Sequence, residues 1–325
     1  MSRVYPSIAA IIPVKNGFPE IKDCIEGLLN QSVPLSRIIV IDSGSTDGTL
    51  EYLKSINKVE VKHIDPSTFS HGLTRNLGLE LTNEELLYYT VQDARPVDSL
   101  LLQTLINTLE ESDAVAVCGQ QVTPHDLNKN PLDWFFPITK PEPIYYQLTE
   151  PSEFDRLSPE QKKQFCSWDN VNALYKRSAL EEVPFEQVVF GEDMIWAKRT
   201  LLKGRKIAYN YNGRVYHYHL ENPEYTFKRL FTTFYFRYVT FGLVPNVQRT
   251  SIKDRLKIIY ILLKRLKFSP TRIWKWYSYT IELKKAAFKS SLIFNQSLAK
   301  GMDELEQVHE KYCGKAPVPL KNTAL

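Results

Sequence analysis

Cysteine pairs, long apolar runs and a signal-peptide pattern are what this sequence lacks. Its four cysteines are scattered, with no C-x-x-C or metal-binding spacing between them: Cys24, Cys118, Cys166 and Cys313. Reduced thiols in a cytoplasmic protein are the simplest account of that pattern. No uncharged run reaches about 18 residues, so we predict no membrane-spanning helix. The apolar segment after the N-terminal MSRVYPS is too short for a signal peptide and is broken at Pro13.

The glycine-rich motifs of two common nucleotide-binding classes are also missing. A Gly-rich turn does follow an apolar run, in the order Asp42-Ser43-Gly44-Ser45-Thr46-Asp47-Gly48-Thr49. No lysine follows at the P-loop position, and the spacing is not G-x-G-x-x-G. The sequence therefore gives no support for a P-loop NTPase or a dinucleotide-dependent oxidoreductase.

What the sequence has is a charge asymmetry. Residues 251–289 carry eleven Lys or Arg against Asp254 and Glu282, a local excess of +9 in a chain of net charge +4. Tryptophan and tyrosine lie among these cations, which favours contact with an anionic membrane surface. The alternative is a solvated helical face. Nucleic acid is a poorer partner because no recognised module is present, and we expect none.

The first half of the chain alternates buried-type strands with helical spacing. Continuous apolar runs at Ile8–Val14 and Arg37–Ile41, and alternation over Val59–Ile64, are separated by segments with apolar residues at helical intervals. This order predicts an α/β fold with a doubly wound, mostly parallel sheet flanked by helices. We predict a catalytic domain over residues 1–224, with a Pro-rich and aromatic insertion at about 124–165 that includes Trp134–Pro137. Residues 225–325 are predicted to form a helical, basic and aromatic C-terminal region.

The stretch Phe69–Pro96 carries the first candidate for chemistry. His71 and Arg75 precede an apolar strand, and Gln92-Asp93 follows it on a turn closed by proline. Ligands bind at the carboxyl ends of strands in open α/β sheets. A carboxylate at that edge, with cationic donors just upstream, suits a metal-bound diphosphate. The alternative is a polar strand-end loop capped by Asp93.

Several motifs in one order resemble the family 2 glycosyltransferases of the GT-A fold, over roughly Ser7 to Leu243. They are Pro13-Val14-Lys15-Asn16, Ile41–Thr49, Arg75-Asn76-Leu77-Gly78, Gln92–Pro96, Glu192-Asp193 and His217. Within that family, Phe69–Asn76 followed by Gln92-Asp93-Ala94 looks most like the rhamnosyltransferase branch of bacterial surface polysaccharide synthesis.

The resemblance implies an inverting transfer from a nucleotide-diphosphate sugar to a saccharide or lipid-linked acceptor. Our best prediction for the donor is dTDP-rhamnose. Asp42 and the Pro13–Asn16 loop would hold the base and ribose, and Arg75 would lie near the diphosphate. A helix N-cap is the alternative role for Asp42. The residues assigned to the nucleotide sugar are Pro13, Val14, Asn16, Asp42, Ser43, His71, Arg75, Gln92 and Asp93.

The resemblance also implies a divalent metal. Asp93 matches the last acid of the family's D-x-D motif, whereas Val91 occupies the position of the first acid. His217 is the predicted supplementary ligand and His219 is the fallback. Oxygen and imidazole ligands would suit Mn²⁺ or Mg²⁺.

The acid pair Glu192-Asp193 is the predicted catalytic pair. Asp193 is our candidate base, expected to behave as an ordinary aspartate that is ionised at neutral pH. Glu192 would orient it or exchange roles with it, although capping of the following helix is an alternative. Trp168, Asn170 and His219 are assigned to the acceptor. Two other functions remain open: hexosyl or N-acetylhexosaminyl transfer from a UDP-sugar, and a non-catalytic sugar-nucleotide-binding or scaffold protein.

Overall fold

The apolar runs of the sequence become the centre of a sheet. In the computed structural model, which describes residues 5–126, 128–133, 138, 140 and 142–314, every residue of Ile8–Val14 is buried. A strand buried on both faces carries a continuous apolar run rather than an alternating one. The strands are β1 (Ile8–Val14), β2 (Arg37–Asp42), β3 (Val59–His63), β4 (Leu86–Thr90), β5 (Arg95–Pro96), β6 (Ala116–Val122), β7 (Ile144–Tyr146), β8 (Asn172–Lys176) and β9 (Ile207–Tyr216).

Helices connect these strands at most crossovers. They are α1 (Glu20–Leu29), α2 (Thr49–Lys54), α3 (His71–Glu80), α4 (Leu101–Glu110), α5 (Pro151–Arg156), α6 (Pro159–Phe165), α7 (Arg177–Glu182) and α8 (Glu192–Leu202). A short 3₁₀ helix lies at Pro66–Thr68. Four further α-helices follow β9 in the described ranges: α9 (Pro223–Phe241), α10 (Ile252–Tyr260), α11 (Pro270–Leu298) and α12 (Met302–Cys313). A π-helical segment at Ile261–Arg265 continues α10.

The strands form one mixed sheet in the order β3-β2-β1-β4-β8-β6-β9-β5, with β7 paired to β9. The pairs β1–β2, β1–β4 and β2–β3 are parallel, and β8 is antiparallel to both β4 and β6. The carboxyl ends of β1, β2 and β4 therefore share one edge of the sheet, as the sequence predicted. This confirms the predicted α/β class.

The last strand of the sheet stops short of both histidines. The alternation Val215-Tyr216-His217-Tyr218-His219 in the sequence predicts a strand through His217 and His219, but β9 ends at Tyr216. Its partner β6 ends at Val122, so the ladder has nothing further to pair with; one last contact joins the His217 N–H to the Val122 carbonyl at 3.1 Å. His217 therefore lies on the segment that follows the strand.

Close approach between helix and sheet sets the position of α3. A Cβ on Gly78 would lie 2.4 Å from Ile11 Cγ2, and one on Gly72 would lie 2.3 Å from the Glu186 carbonyl oxygen. Both positions admit only glycine without a shift of their neighbours. Helix α3, which carries His71 and Arg75, is thereby held against the segment before α8 at its N-terminal end and against β1 near its C-terminal end.

The chain divides into two compact units, Met1–Val122 with Pro137–His217, and Thr123–Phe136 with Tyr218–Leu325. The first unit contains the sheet and helices α1–α8. In the second, Phe227 and Phe231 of α9 pack with Phe294 of α11 and Leu305 of α12. The first aromatic helix of the predicted C-terminal region, α9, is thus a core element of its own unit. The domain boundary predicted at residue 224 stays a prediction, and Trp134–Pro137 lie outside the described residues.

Within the described ranges, no helix is both long enough and apolar enough to cross a membrane.

Candidate active site

Two loops at the carboxyl ends of β1 and β2 are joined by hydrogen bonds. The Asn16 N–H donates to Ser45 Oγ at 2.9 Å, and the Thr46 N–H donates to Asn16 Oδ1 at 2.8 Å. The Ser43 N–H donates to the Val14 carbonyl at 3.0 Å. Gln92, which follows β4, accepts the Lys15 N–H through Oε1 at 2.8 Å. The structure thus brings together the loops that carry most of the predicted nucleotide-sugar residues.

Asp42 shapes the Gly-rich turn. Its carboxylate is almost fully buried and accepts the N–H groups of Gly44 and Ser45 at 3.1 Å each, while His63 Nδ1 lies 3.2 Å away. Burial alone raises the pKa of Asp42, but hydrogen bonds from Ser45, Gly44 and His63 outweigh it and hold that pKa below its usual value. The alternative role of Asp42 as a helix N-cap is not observed, since the residue before α2 is Gly48. Its contact with a nucleotide base stays a prediction.

Asp93 and His217 meet at the end of β4. His217 Nε2 lies 3.4 Å from Asp93 Oδ1, and their side chains are 9% and 19% exposed. On the other side of the imidazole, His217 Nδ1 contacts Gln121 Oε1 at 2.5 Å. The Gln121 amide nitrogen in turn donates to Asp169 Oδ2. A carboxylate only accepts hydrogen bonds, so Asp169 fixes the amide orientation and leaves Gln121 Oε1 as the acceptor for Nδ1–H.

The contacts from Asp169 through Gln121 to His217 have a chemical consequence for the His217 imidazole. With its proton on Nδ1, a neutral His217 directs the Nε2 lone pair towards the carboxylate of Asp93. Two electron-rich atoms that face each other repel unless a cation, either a proton or a metal ion, lies between them. Carboxylate and imidazole are ligands that Mn²⁺ accepts, so the donor set fits the predicted metal. His219 belongs to the second unit, and its roles as fallback ligand and acceptor contact stay predictions.

Arg75 and Glu192 form a buried ion pair. Arg75 Nη1 lies 2.5 Å from Glu192 Oε1, and the two side chains are 4% and 8% exposed. Arg75 also donates to the His71 carbonyl at 3.3 Å, whereas its Nε has no partner in the described part of the chain. Burial and the positive charge of Arg75 lower the pKa of His71. The immediate partner of Arg75 is therefore a carboxylate of the catalytic pair, and its contact with a diphosphate stays a prediction.

Asn76 holds the segment that leads into α8. Its Nδ2 donates to the Phe185 carbonyl at 2.9 Å, and its Oδ1 accepts the Phe185 N–H at 3.0 Å. Gly191, with φ of 78°, then turns the chain into α8 in a conformation that suits glycine. The two contacts fix where Glu192 and Asp193 begin the helix.

Asp193 lies among other acids. Burial raises its pKa well above the usual range, and the negative charges of Glu192 and Asp169 raise it further, against smaller opposing effects of the Met194 N–H and Arg75. The prediction that Asp193 behaves as an ordinary aspartate was therefore wrong. A general base works best when its pKa approaches the working pH, so the shift favours the assigned role.

Two predicted acceptor residues lie inside the protein. Trp168 is 3% exposed and packs against Tyr175, Trp196 and Tyr209, with ring centroids 5.8, 5.2 and 5.4 Å away. Asn170 is buried and accepts the Tyr175 hydroxyl hydrogen bond, while its Nδ2 has no partner among the described residues. Both side chains thus contact the buried core around Tyr175, and contact with an acceptor stays a prediction for each.

Sequence reasoning missed Gln121 and Asp169. Gln121 lies on β6 with no motif around it, 48 residues from Asp169 and 96 from His217. Asp169 lies between the two residues that were assigned to the acceptor, and a carboxylate in a turn before a buried strand was the available signal. Together they link the histidine near Asp93 to the charge that acts on Asp193.

The architecture is the GT-A fold, which solved structures of other proteins share. Residues 1–349 of TarS from S. aureus share this architecture, with a TM-score of 0.51, 14% identity and coverage of 94% of this chain and 91% of that one. The mannosyltransferase PcManGT from Pyrobaculum calidifontis, in complex with GDP-Man and Mn²⁺, gives 0.51 and 15%, with coverage of 95% and 79%. At such identities the likeness shows the fold alone.

The chain belongs to glycosyl transferase family 2, whose sequence profile matches residues 9–183. It is 30% identical over 233 residues to the O-antigen chain rhamnosyltransferase RfbN of Salmonella typhimurium, covering 70% of this chain and 71% of RfbN. It is 31% identical over 236 residues to the O-antigen chain rhamnosyltransferase WbaN of Salmonella anatum, with the same coverage. The protein is therefore a glycosyltransferase near the rhamnosyltransferase branch, as the sequence motifs predicted.

Proposed function

We propose that this glycosyltransferase moves L-rhamnose from dTDP-rhamnose, with inversion, onto a hydroxyl of a saccharide or lipid-linked acceptor in surface polysaccharide synthesis. The supporting observation is a series of side-chain contacts in the first unit, continued by one electrostatic interaction. Asp93 lies beside His217, Gln121 joins His217 to Asp169, and the charge of Asp169 acts on Asp193. The residues assigned to the leaving group, Asp93 and His217, and the residue assigned as the base, Asp193, therefore belong to one connected region. The two Salmonella relatives, named O-antigen chain rhamnosyltransferases, support the choice of sugar.

The donor side is built from the loops at the ends of β1, β2 and β4. We assign the base and ribose to the Pro13–Asn16 loop and the Asp42 turn, and the diphosphate to the neighbourhood of His71, Arg75 and Asp93. The hydrogen bonds between the first two loops fix their shape before a donor arrives, which lowers the conformational entropy lost on binding.

Asp93 and His217 would hold a divalent metal, Mn²⁺ or Mg²⁺. Such an ion neutralises the charge that develops on the departing nucleotide diphosphate. Gln121 keeps the imidazole of His217 in the tautomer and orientation that ligation requires. The neighbour PcManGT, which was solved with GDP-Man and Mn²⁺, is consistent with this assignment.

Asp193 acts as the base in a single displacement. The acceptor hydroxyl loses its proton to the Asp193 carboxylate as its oxygen attacks the anomeric carbon. The bond from that carbon to the β-phosphate oxygen breaks on the opposite face, and the nucleotide diphosphate leaves with the electron pair. Glu192, held by Arg75, keeps negative charge beside Asp193 and so helps to raise its proton affinity.

We also propose that the enzyme works at an anionic membrane surface, where a lipid-linked acceptor would lie. The support is the cationic, aromatic helical region after residue 250.

Calorimetric titration of the protein with dTDP and UDP, each with Mn²⁺ and with EDTA, tests the proposal. We expect metal-dependent binding of dTDP in preference to UDP, and loss of the metal dependence in Asp93→Asn. The matched control is Asp98→Asn, an acid on the segment after β5 whose carboxylate accepts the Leu100 N–H at 2.8 Å. A preference for UDP would move the donor to a UDP-sugar, as in hexosyl or N-acetylhexosaminyl transfer.

Transfer itself is the second measurement. Incubation with dTDP-rhamnose and an acceptor should release dTDP and give a rhamnosylated product of inverted anomeric configuration. Donor binding without hydrolysis or transfer would instead support the non-catalytic alternative, and binding of neither nucleotide would contradict the site assignment.

A further inference from the structure

One helix of the second unit carries apolar residues on two faces. Ile258 of α10 and Leu262 just after it are buried in a cluster with Trp276, Ile281 and Leu132. Four other apolar side chains of the same segment are exposed, at 78, 61, 57 and 46%: Ile252, Leu256, Tyr260 and Leu263. Their spacing of four, four and three residues places them along one face of the helix, which we name the α10 stripe.

The stripe does not belong to the core of its unit. At about 100° per residue Ile252, Leu256 and Tyr260 lie within an arc of roughly 80° on α10, and the buried Ile258 lies on the far side. Leu263, which is exposed, and Leu262, which is buried, lie on the π-helical segment Ile261–Arg265 that continues α10. A surface helix of a globular protein normally keeps one apolar face and a polar opposite face. Apolar residues outside the core face, aligned over about 12 Å of α10 and continued by Leu263 in the π-helical segment, indicate an interaction surface.

Exposed cations border the stripe. Lys253, Lys257 and Lys264 are exposed beside it, and Arg265 and Lys267 follow. Within the described chain, none of these five takes part in an ion pair. The nearest acid, Asp254, accepts hydrogen bonds from Ser251 N and Oγ at 3.0 and 2.7 Å in a capping box, so it serves the start of the helix. Trp274, at the start of α11, is 71% exposed.

We propose that the α10 stripe inserts into the interface of an anionic lipid bilayer, with α10 parallel to the membrane plane. The lysine stems can extend along the apolar surface while their ammonium groups reach lipid phosphates. A second copy of the chain fits less well, because a two-fold contact through the stripe would bring the bordering lysines of both copies together. The inference rests on the proposed function in that a lipid-linked acceptor makes a membrane the relevant surface.

The test is sedimentation of the full chain with phosphatidylcholine vesicles and with vesicles that contain phosphatidylglycerol. We expect binding to the second kind only, weakened by 0.5 M NaCl. Leu256→Ser with Leu263→Ser should lower the partition coefficient at least tenfold at every salt concentration. Lys253→Gln with Lys257→Gln should lower it at low salt by about fivefold per charge removed. All four side chains are exposed, so the variants are expected to fold.

Matched controls come from the same unit. Val239→Ser and Leu292→Ser remove exposed apolar side chains, 55 and 43% exposed, that lie on α9 and α11 away from the stripe, and both should bind vesicles like the unchanged protein. Equal binding by the stripe variant would overturn the proposal. So would a dimer that the stripe variant dissociates while vesicle binding is unchanged, because the stripe would then be an interface between copies.

Calorimetry on the same variants separates this proposal from the assigned activity. The stripe variants should bind dTDP with Mn²⁺ as the unchanged protein does. If the unchanged protein bound vesicles through the stripe but bound no nucleotide, the proposed function would fail and the docking surface would stand. If the protein bound nucleotide but did not bind anionic vesicles, the docking proposal would fail and the proposed function would stand.

Discussion

The first unit contains two acid centres that are built in opposite ways. Asp93 lies beside a histidine whose Nε2 is directed towards it, and both side chains keep some exposure. Asp193 adjoins Glu192, whose charge is held by the buried Arg75, and burial raises the pKa of Asp193. One centre is prepared to take a cation from solution, and the other to take a proton. Acids in unlike environments divide the chemical roles between them, and here the division follows from burial and charge.

Asp193→Asn should give the largest effect. The amide keeps the shape of the side chain but cannot accept the acceptor proton, so transfer should fall by about 10²- to 10⁴-fold. Donor binding, which depends on the other centre, should be unchanged. Initial rates with dTDP-rhamnose and calorimetry with dTDP measure the two. Normal turnover by this variant would show that Asp193 is not the base. Equal losses of donor binding and transfer would show that the two centres do not have separate roles.

The pH dependence of the rate tests the same distinction without a substitution. Because the pKa of Asp193 is raised, its carboxylate is protonated at a higher pH than that of an ordinary aspartate, which titrates near about pH 4. The rate should therefore fall about tenfold per pH unit below the raised pKa, and the fall should begin well above pH 4. Saturating donor and metal keep binding out of the profile. A fall that begins only near about pH 4, as expected for an ordinary aspartate, would contradict the raised pKa.

The raised pKa of Asp193 also predicts the direction in which the stability of the fold changes with pH. A carboxyl group whose pKa is higher in the folded state than in the unfolded state destabilises the fold once it is ionised, above the folded pKa. Asp193→Asn removes that penalty, so its melting temperature should exceed that of the unchanged protein at pH 8. The difference should vanish below about pH 4, where Asp193 is protonated in both states. A constant difference at all pH values would point to packing instead.

Glu192→Gln should mainly affect folding. It leaves the Arg75 guanidinium buried without its charge partner, and breaking such a pair costs about 3–5 kcal/mol. Urea denaturation measures the loss. The double variant Arg75→Met with Glu192→Leu removes both charges, and its free energy of unfolding should exceed that of Glu192→Gln. A single variant as stable as the unchanged protein would show that Arg75 does not depend on Glu192.

The difference between the centres also explains what the sequence could predict. Strands such as Ile8–Val14 and the loops after them are local patterns, so the class of fold and the positions of Asp42 and Asp93 followed from the chain itself. The Arg75–Glu192 pair joins residues 117 positions apart, and Gln121 reaches its partners only because β6 pairs with both β8 and β9. Contacts between residues that are distant in sequence and are brought together by the strand order of the sheet leave no periodic pattern in the sequence. The environment of Asp193 depends on them, which is why its titration was predicted wrongly.

Gln121→Leu should give the smallest effect and is the sharpest test of the metal centre. Leucine has similar volume but accepts no hydrogen bond, so the imidazole of His217 loses the partner that holds its proton on Nδ1. Outer contacts of this kind change metal affinity by about 10- to 100-fold. Mn²⁺ titration in the presence of dTDP, followed by electron paramagnetic resonance, measures that affinity directly. The matched control is Gln120→Leu, because the neighbouring side chain on β6 points to the opposite face of the sheet and should leave Mn²⁺ binding unchanged. If both variants bound Mn²⁺ equally well, Gln121 would be a packing residue, and Asp93 with His217 would have to orient the ion without it.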